Sequence, residues 1–210
     1  MSVSPEAFLL CMFYIALRTG AEGGQSFDWS SRLSVAVGIA HGLAFIHKEL
    51  YKEGIAHGNL KSSNVLMDKN MDPCISEYGL MVVNSKPLLS TSQDNGSMDH
   101  SRGVPDYPFK ADMYNFGVIL LELLTGKLVQ NDGLDLTTWV HSVVREEWTA
   151  EVFDKVLFAE GASEERMVNL LQVALKCINP SPEARPSINQ VANMISTIKE
   201  EEERSIVSEV

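Results

Sequence analysis

Residues 57–68 read HGNLKSSNVLMD, and they lie where the texture of the chain changes from helical to β-prone. Downstream, VLM (65–67) and PCIS (73–76) are short β-prone pieces separated by the turn residues DKNMD (68–72), which predicts a small hairpin. Upstream runs FDWSSRLSVAVGIAHGLAFIHKEL (27–50), in which Leu33, Ala36, Val37, Ala40, Leu43, Ala44 and His47 recur at helical spacing. Asp28 or Ser30 is placed to cap that helix by accepting from its first free N–H groups. The glycine-rich residues 20–24 (GAEGG) precede it and read as a linker.

On the other side, residues 84–110 are rich in Ser, Asn, Asp, Gly and Pro with little apolar periodicity, and read as one long loop. Then comes FGVILLELLTG (116–126), apolar nearly all round, as a helix must be when neighbours surround it. Three amphipathic helices follow, marked by Leu136, Trp139, Val140, Val143 and Val144; by Met167, Leu170, Leu171, Ala174 and Ile178; and by Ile188, Val191, Ala192, Ile195 and Ile198. Ser187 with Gln190 forms a capping box for the last of these. KEEEERSIVSEV (199–210) is a charge run and reads as a solvated, frayed end, with residues 201–210 an acidic tail. The expectation is a mainly α domain with one small β-hairpin and one long loop.

With 210 residues, 45% hydrophobic and 21% charged, the chain is long enough to bury one core. A formal net charge of −11 repels phosphate backbones and anionic lipid, which argues against nucleic acid as a partner. Cys11, Cys74 and Cys177 lie far apart and are odd in number, so they fit neither a disulfide framework nor a zinc site and point to a reducing compartment. The apolar run at 7–17 (AFLLCMFYIAL) is shorter than the ~20 helical residues that cross a bilayer, so no transmembrane segment is expected. No Lys or Arg precedes that run, and no small-x-small cleavage site follows it, which argues against a signal peptide.

The stretch at 57–68 resembles the catalytic loop of protein kinases, H-R-D-L-x-x-x-N, with His57, Leu60 and Asn64 at the same spacing and Lys61 where serine/threonine kinases place a lysine. The resemblance continues in register. Glu77-Tyr78-Gly79 stands where the family has D-F-G, and ADMYNFGVILLELLTGK (111–127) resembles the buried central helix of the kinase C-lobe. NPSPEARPSI (179–188) resembles the entry to its last helix. The patterns DW..RL....GIAHGLAFIH and REEW..EVFD are similar to plant receptor-like kinases, most of all the leucine-rich-repeat subfamily, which has many members labelled inactive. The likeness spans residues 27–200 and implies a protein-kinase-like C-lobe, with residues 1–26 a leading segment and 84–110 a degenerate activation segment.

Several positions depart from that pattern. Where the family's loop aspartate takes the substrate hydroxyl's proton stands Asn59, of the same shape but without a basic oxygen; the general acid–base contribution is typically about 10²- to 10⁴-fold. Gly58 replaces the arginine that pairs with a phosphorylated activation loop. Glu77 replaces the metal-binding aspartate, still an anion but one methylene longer. Asn64 and Lys61 keep residue types suited to a second Mg²⁺ and a phosphate, though with their surroundings changed they are expected to serve the loop's own hydrogen bonding.

Neither G-x-G-x-x-G nor a V-A-I-K strand occurs, so the N-terminal lobe that covers nucleotide is expected to be missing. For A-P-E the nearest match is Val104-Pro105-Asp106, close before Asp112. The resemblance makes Asp112 the acid that accepts from the loop's backbone. It also makes Arg185 the arginine that pairs with the A-P-E glutamate, here Asp106 at best.

The resemblance therefore implies a catalytically impaired receptor-like kinase (pseudokinase) fragment that signals by binding other proteins, such as signalling proteins or other receptor kinases, at the cytoplasmic face of the plasma membrane. No cofactor is expected, or ATP and Mg²⁺ if nucleotide binding survives. Ser85, Ser90, Thr91, Ser92, Ser97 and Ser101 are candidate phosphorylation sites in the long loop. The alternatives are a working serine/threonine kinase completed by a missing N-lobe, and a truncated product without independent function. If an N-lobe normally covers the first helix and hairpin, apolar surface there is expected to be exposed.

Overall fold

Asp28 begins the first helix by accepting from Ser31 N at 2.8 Å, and the helix, α1 (Trp29–Leu50), then buries Leu33, Ala36, Ile39, Ala40 and Leu43 completely. The computed structural model describes residues 27–68, 70–79, 107–128, 135–146 and 149–208. After α1 come a 3-10 turn (Ser62–Asn64) and strands β1 (Val65–Met67) and β2 (Pro73–Ile75). These strands pair antiparallel with Leu66 opposite Cys74, forming the expected hairpin. The remaining helices are α2 (Tyr107–Thr125), α3 (Leu136–Arg145), α4 (Lys155–Ala159), α5 (Glu164–Cys177) and α6 (Ile188–Ser208), with further 3-10 turns at Thr149–Val152 and Pro182–Ala184.

As its composition requires, α2 is buried on nearly every side: Phe116, Leu120 and Leu124 have no exposed surface. It packs chiefly on α5, and α1 packs chiefly on α6 and the hairpin. Gly117 makes the first contact possible, because a β-carbon there would meet Cys177 Cβ and Ile178 Cγ2 at 2.7 Å. At the second contact the ring of Pro73 fills the place a β-carbon on Gly38 would occupy, so the hairpin lies directly on the α1 backbone.

Four features differ from the sequence expectations. The long loop does not extend to residue 110, since α2 begins at Tyr107 with Pro108 in its first turn, where proline lacks only an N–H that has no helical partner. The short helix α4 carries too few residues to show periodicity. The charge run after residue 199 stays helical to Ser208 and is not free of contacts: Glu202 Oε2 accepts from Trp29 Nε1 at 2.9 Å and from Arg166 Nη1 at 3.0 Å. And α1 itself is long and apolar enough to cross a membrane by length and composition alone, although half of its most apolar stretch is buried within the protein.

A buried arginine ties this core together. Arg32, 4% exposed, donates through Nε to Phe27 O, through Nη1 to Leu123 O and through Nη2 to Asp154 Oδ2 at 2.7 Å. A guanidinium shut away from water is tolerated only when its donors are paired in this way.

Candidate active-site loop

Asp112, on α2 and with no exposed surface, holds the loop that follows α1. Its Oδ2 accepts from His57 N at 2.7 Å and its Oδ1 from Gly58 N at 2.9 Å. His47, near the end of α1, brings Nε2 to 2.9 Å from Asp112 Oδ2. With a carboxylate opposite, that nitrogen carries the proton. The bracing role that the sequence suggested for Asp112 thus has its geometry, but His47 joins it, and the sequence showed His47 only as one more residue on the buried face.

His57 is fully buried. Its Nδ1 accepts from Asn59 N at 3.2 Å, which leaves the ring proton on Nε2, an atom without a hydrogen-bond partner among the described residues. Burial holds the His57 pKa below its ordinary value of 6.5, outweighing the opposite pull of the Asp112 carboxylate. Gly58 sits at φ 77°, in the left-handed region that side-chain-bearing residues avoid. Its identity therefore suits the backbone as well as removing a charged side chain.

Asn59 and Glu77 meet. The Asn59 amide donates through Nδ2 to Glu77 Oε2 at 3.1 Å; the opposite amide orientation would set oxygen against carboxylate. Glu77 itself has φ 61°. Asn64 closes the loop on itself, donating through Nδ2 to Asn59 O at 2.8 Å, while its own carbonyl accepts from Ser76 N and Ser76 Oγ, both at 2.9 Å. Gly79 N reaches His57 O at 3.3 Å, and Tyr78 is 56% exposed. Asn64 thus does serve the loop's internal bonding, and Lys61 joins it only through its backbone, its carbonyl accepting from Asn64 N at 2.9 Å, while its exposed ammonium meets no partner among the described residues. Sequence reasoning missed Ser76, which looked like the end of a strand.

Arg185 is satisfied by carbonyls: Nε donates to Asn179 O at 2.8 Å and Nη1 to Lys110 O at 2.9 Å, with the guanidinium 5.0 Å over the Tyr114 ring. Lys110 Nζ donates back to Arg185 O at 2.6 Å. Among the described residues, the acceptors that Arg185 meets are backbone carbonyls. Asp106, and with it Ser85, Ser90, Thr91, Ser92, Ser97 and Ser101, lies outside the described residues.

A loop braced from the central helix, joined to a hairpin and followed by a Glu-Tyr-Gly turn agrees with an independent comparison of the sequence: the protein kinase domain profile matches residues 5–195. The chain belongs to the protein kinase family.

Within that family it is 38% identical over 195 residues to a probable inactive receptor kinase of Arabidopsis thaliana, a match covering 89% of this chain and 30% of that one. It is 39% identical over 201 residues to the leucine-rich repeat receptor-like protein kinase PXC1 of the same plant, covering 86% and 30%. Among solved structures, the pseudokinase domain of BIR2, an immune regulator of the RLK/Pelle family, gives a TM-score of 0.68 at 27% identity, covering 92% of this chain and 57% of that one. The chain spans about 30% of the length of each of these two curated relatives.

Where the resemblance places the kinase base and metal ligand, the structure has the Asn59 amide donating to the Glu77 carboxylate. A kinase site holds Mg²⁺ between the D-F-G aspartate and the loop asparagine, next to a second carboxylate. Here Glu77 is the only carboxylate of the three, and one of its oxygens is taken up by Asn59. These residues do not fit a resident Mg²⁺–nucleotide.

Proposed function

We propose that this kinase domain transfers no phosphate and acts in receptor-kinase signalling by binding other proteins, on the cytoplasmic side of the membrane and without ATP or Mg²⁺. The observation that carries this reading is the Asn59–Glu77 hydrogen bond. A general base must accept a proton, and an amide whose N–H₂ already donates to a neighbouring carboxylate has no basic atom to offer. Gly58 removes the cation that would clamp a phosphorylated loop, so switching by that route is lost as well. Relatives that carry the word inactive in their names, and structural neighbours described as pseudokinases, support the same reading. A loop held by Asp112, His47 and Ser76 retains the shape of an active site as a rigid surface on which a protein partner can dock.

The test is a titration of the chain against the cytoplasmic domain of an active receptor-like kinase, with and without Mg²⁺–ATP. Saturable association of equal strength in both conditions is expected. Association that requires Mg²⁺–ATP, or that disappears in Glu77→Gln only when nucleotide is present, contradicts the proposal.

A further inference from the structure

Between the C-terminal half of α1, the first turns of α2 and the entry to α6, the surface opens into a cavity of about 380 Å³. Tyr51, Phe109, Met113 and Ile188 line it, and the Tyr51 and Phe109 rings lie 5.4 Å apart, so its wall is largely apolar and partly aromatic. Two ammonium groups also line it. Lys48 is exposed and makes no hydrogen bond or ion pair among the described residues. The Lys110 ammonium meets only the Arg185 carbonyl among the described residues, at 2.6 Å.

Among the described residues no carboxylate lines the cavity, although the chain as a whole carries a net charge of −11. The described lining thus carries cations without anions, and the recess has the size and make-up of small-ligand sites: an apolar body with a few polar groups that fix orientation.

We propose that this cavity binds a small apolar anion, an aromatic or short acyl group bearing a single carboxylate or sulfonate. The apolar body lies against Phe109, Met113 and Ile188, and the anionic head faces Lys48. An uncharged molecule of the same shape gains the apolar contacts but not the charge. A polyanion lacks the apolar body and gains little. The ligand also sits beside His47, whose Nε2 meets the Asp112 carboxylate that holds the His57 and Gly58 amides, so occupancy bears on the active-site loop through two residues.

The probe is 8-anilinonaphthalene-1-sulfonate, titrated by fluorescence into the full chain beside its uncharged relative N-phenyl-1-naphthylamine. The anion is expected to saturate at one molecule per chain. Lys48→Glu, with circular dichroism matching the parent, is expected to weaken it by about tenfold while changing the uncharged compound by less than about twofold. Ala44→Phe, which fills the recess from α1, is expected to abolish saturable binding of both. If Lys48→Glu fails to fold, Lys48→Met provides the same comparison. The proposal is overturned if the anion binds without saturation, if it is unaffected by the Lys48 change, or if it still binds Ala44→Phe.

Discussion

His47 Nε2 stands 2.9 Å from Asp112 Oδ2, linking the end of the first helix to the central helix at a carboxylate with no exposed surface. The two oxygens of Asp112 together face three N–H donors, from His47, His57 and Gly58. In Asp112→Asn one of those oxygens becomes an N–H₂ group, which must then point at a donor. A buried donor left unpaired costs about 1–3 kcal/mol, so Asp112→Asn is expected to lower unfolding free energy by about 3 kcal/mol in urea titrations. A loss below about 1 kcal/mol contradicts the brace.

Burial holds His57 neutral below its ordinary pKa of 6.5, and the sign of the consequence follows from proton counting. Between the lowered folded value and 6.5 the unfolded chain binds more protons than the folded one, so stability is complete above that window and declines as pH falls through it. Urea midpoints are expected to drop as pH falls below the ordinary value of 6.5, and to drop less in His57→Gln. Equal slopes for parent and variant remove His57 as the cause.

Gly58 at φ 77° places a backbone constraint where the sequence showed only a missing arginine. A side-chain-bearing residue in the left-handed region costs about 1–2 kcal/mol, so Gly58→Ala is expected to destabilise by that amount and Gly58→Asn by less. Chemical denaturation of the two variants checks it. A neutral Gly58→Ala is the contrary result.

Glu202 connects Trp29 and Arg166 to the last helix, and it lies 173 positions along the chain from Trp29. Hydrogen bonds to charged groups contribute about 1.5–3 kcal/mol, less where water reaches them, and Glu202→Ala is expected to cost about 1–2 kcal/mol. A double-mutant cycle with Arg166→Gln is expected to show coupling, and strict additivity tells against the contact.

What the sequence disclosed and what it hid divide along physical lines. The helices with three or more apolar positions on one face, such as those carrying Leu33, Leu120 and Leu170, were legible because burial imposes the period. So were the hairpin at Val65–Met67 and Pro73–Ile75, from its turn residues, and the capping box in which Ser187 N donates to Gln190 Oε1 at 2.9 Å. The start of α2 at Tyr107 did carry a signal, Pro108 in the first turn, but the polar residues before it masked that signal. Glu202 could not be told from its neighbours in an acidic run, because its partner lies at the other end of the chain and no local pattern encodes it.

The same holds at the site. The family resemblance singled out His57, Asn59, Asn64 and Asp112, but it did not show that Asn59 bonds Glu77, that His47 shares Asp112, or that the carbonyls of Asn179 and Lys110 meet Arg185.

The central claim is that this kinase fold transfers no phosphate, and the most direct measurement is incorporation of γ-labelled phosphate from Mg²⁺–ATP into a generic serine/threonine substrate by highly purified chain. Incorporation indistinguishable from that of Asn64→Ala is expected for the parent, and also for Asn59→Asp, which sets a carboxylate in the place of the amide 3.1 Å from Glu77 Oε2. Transfer by the parent that persists through purification and vanishes in Asn64→Ala contradicts the account.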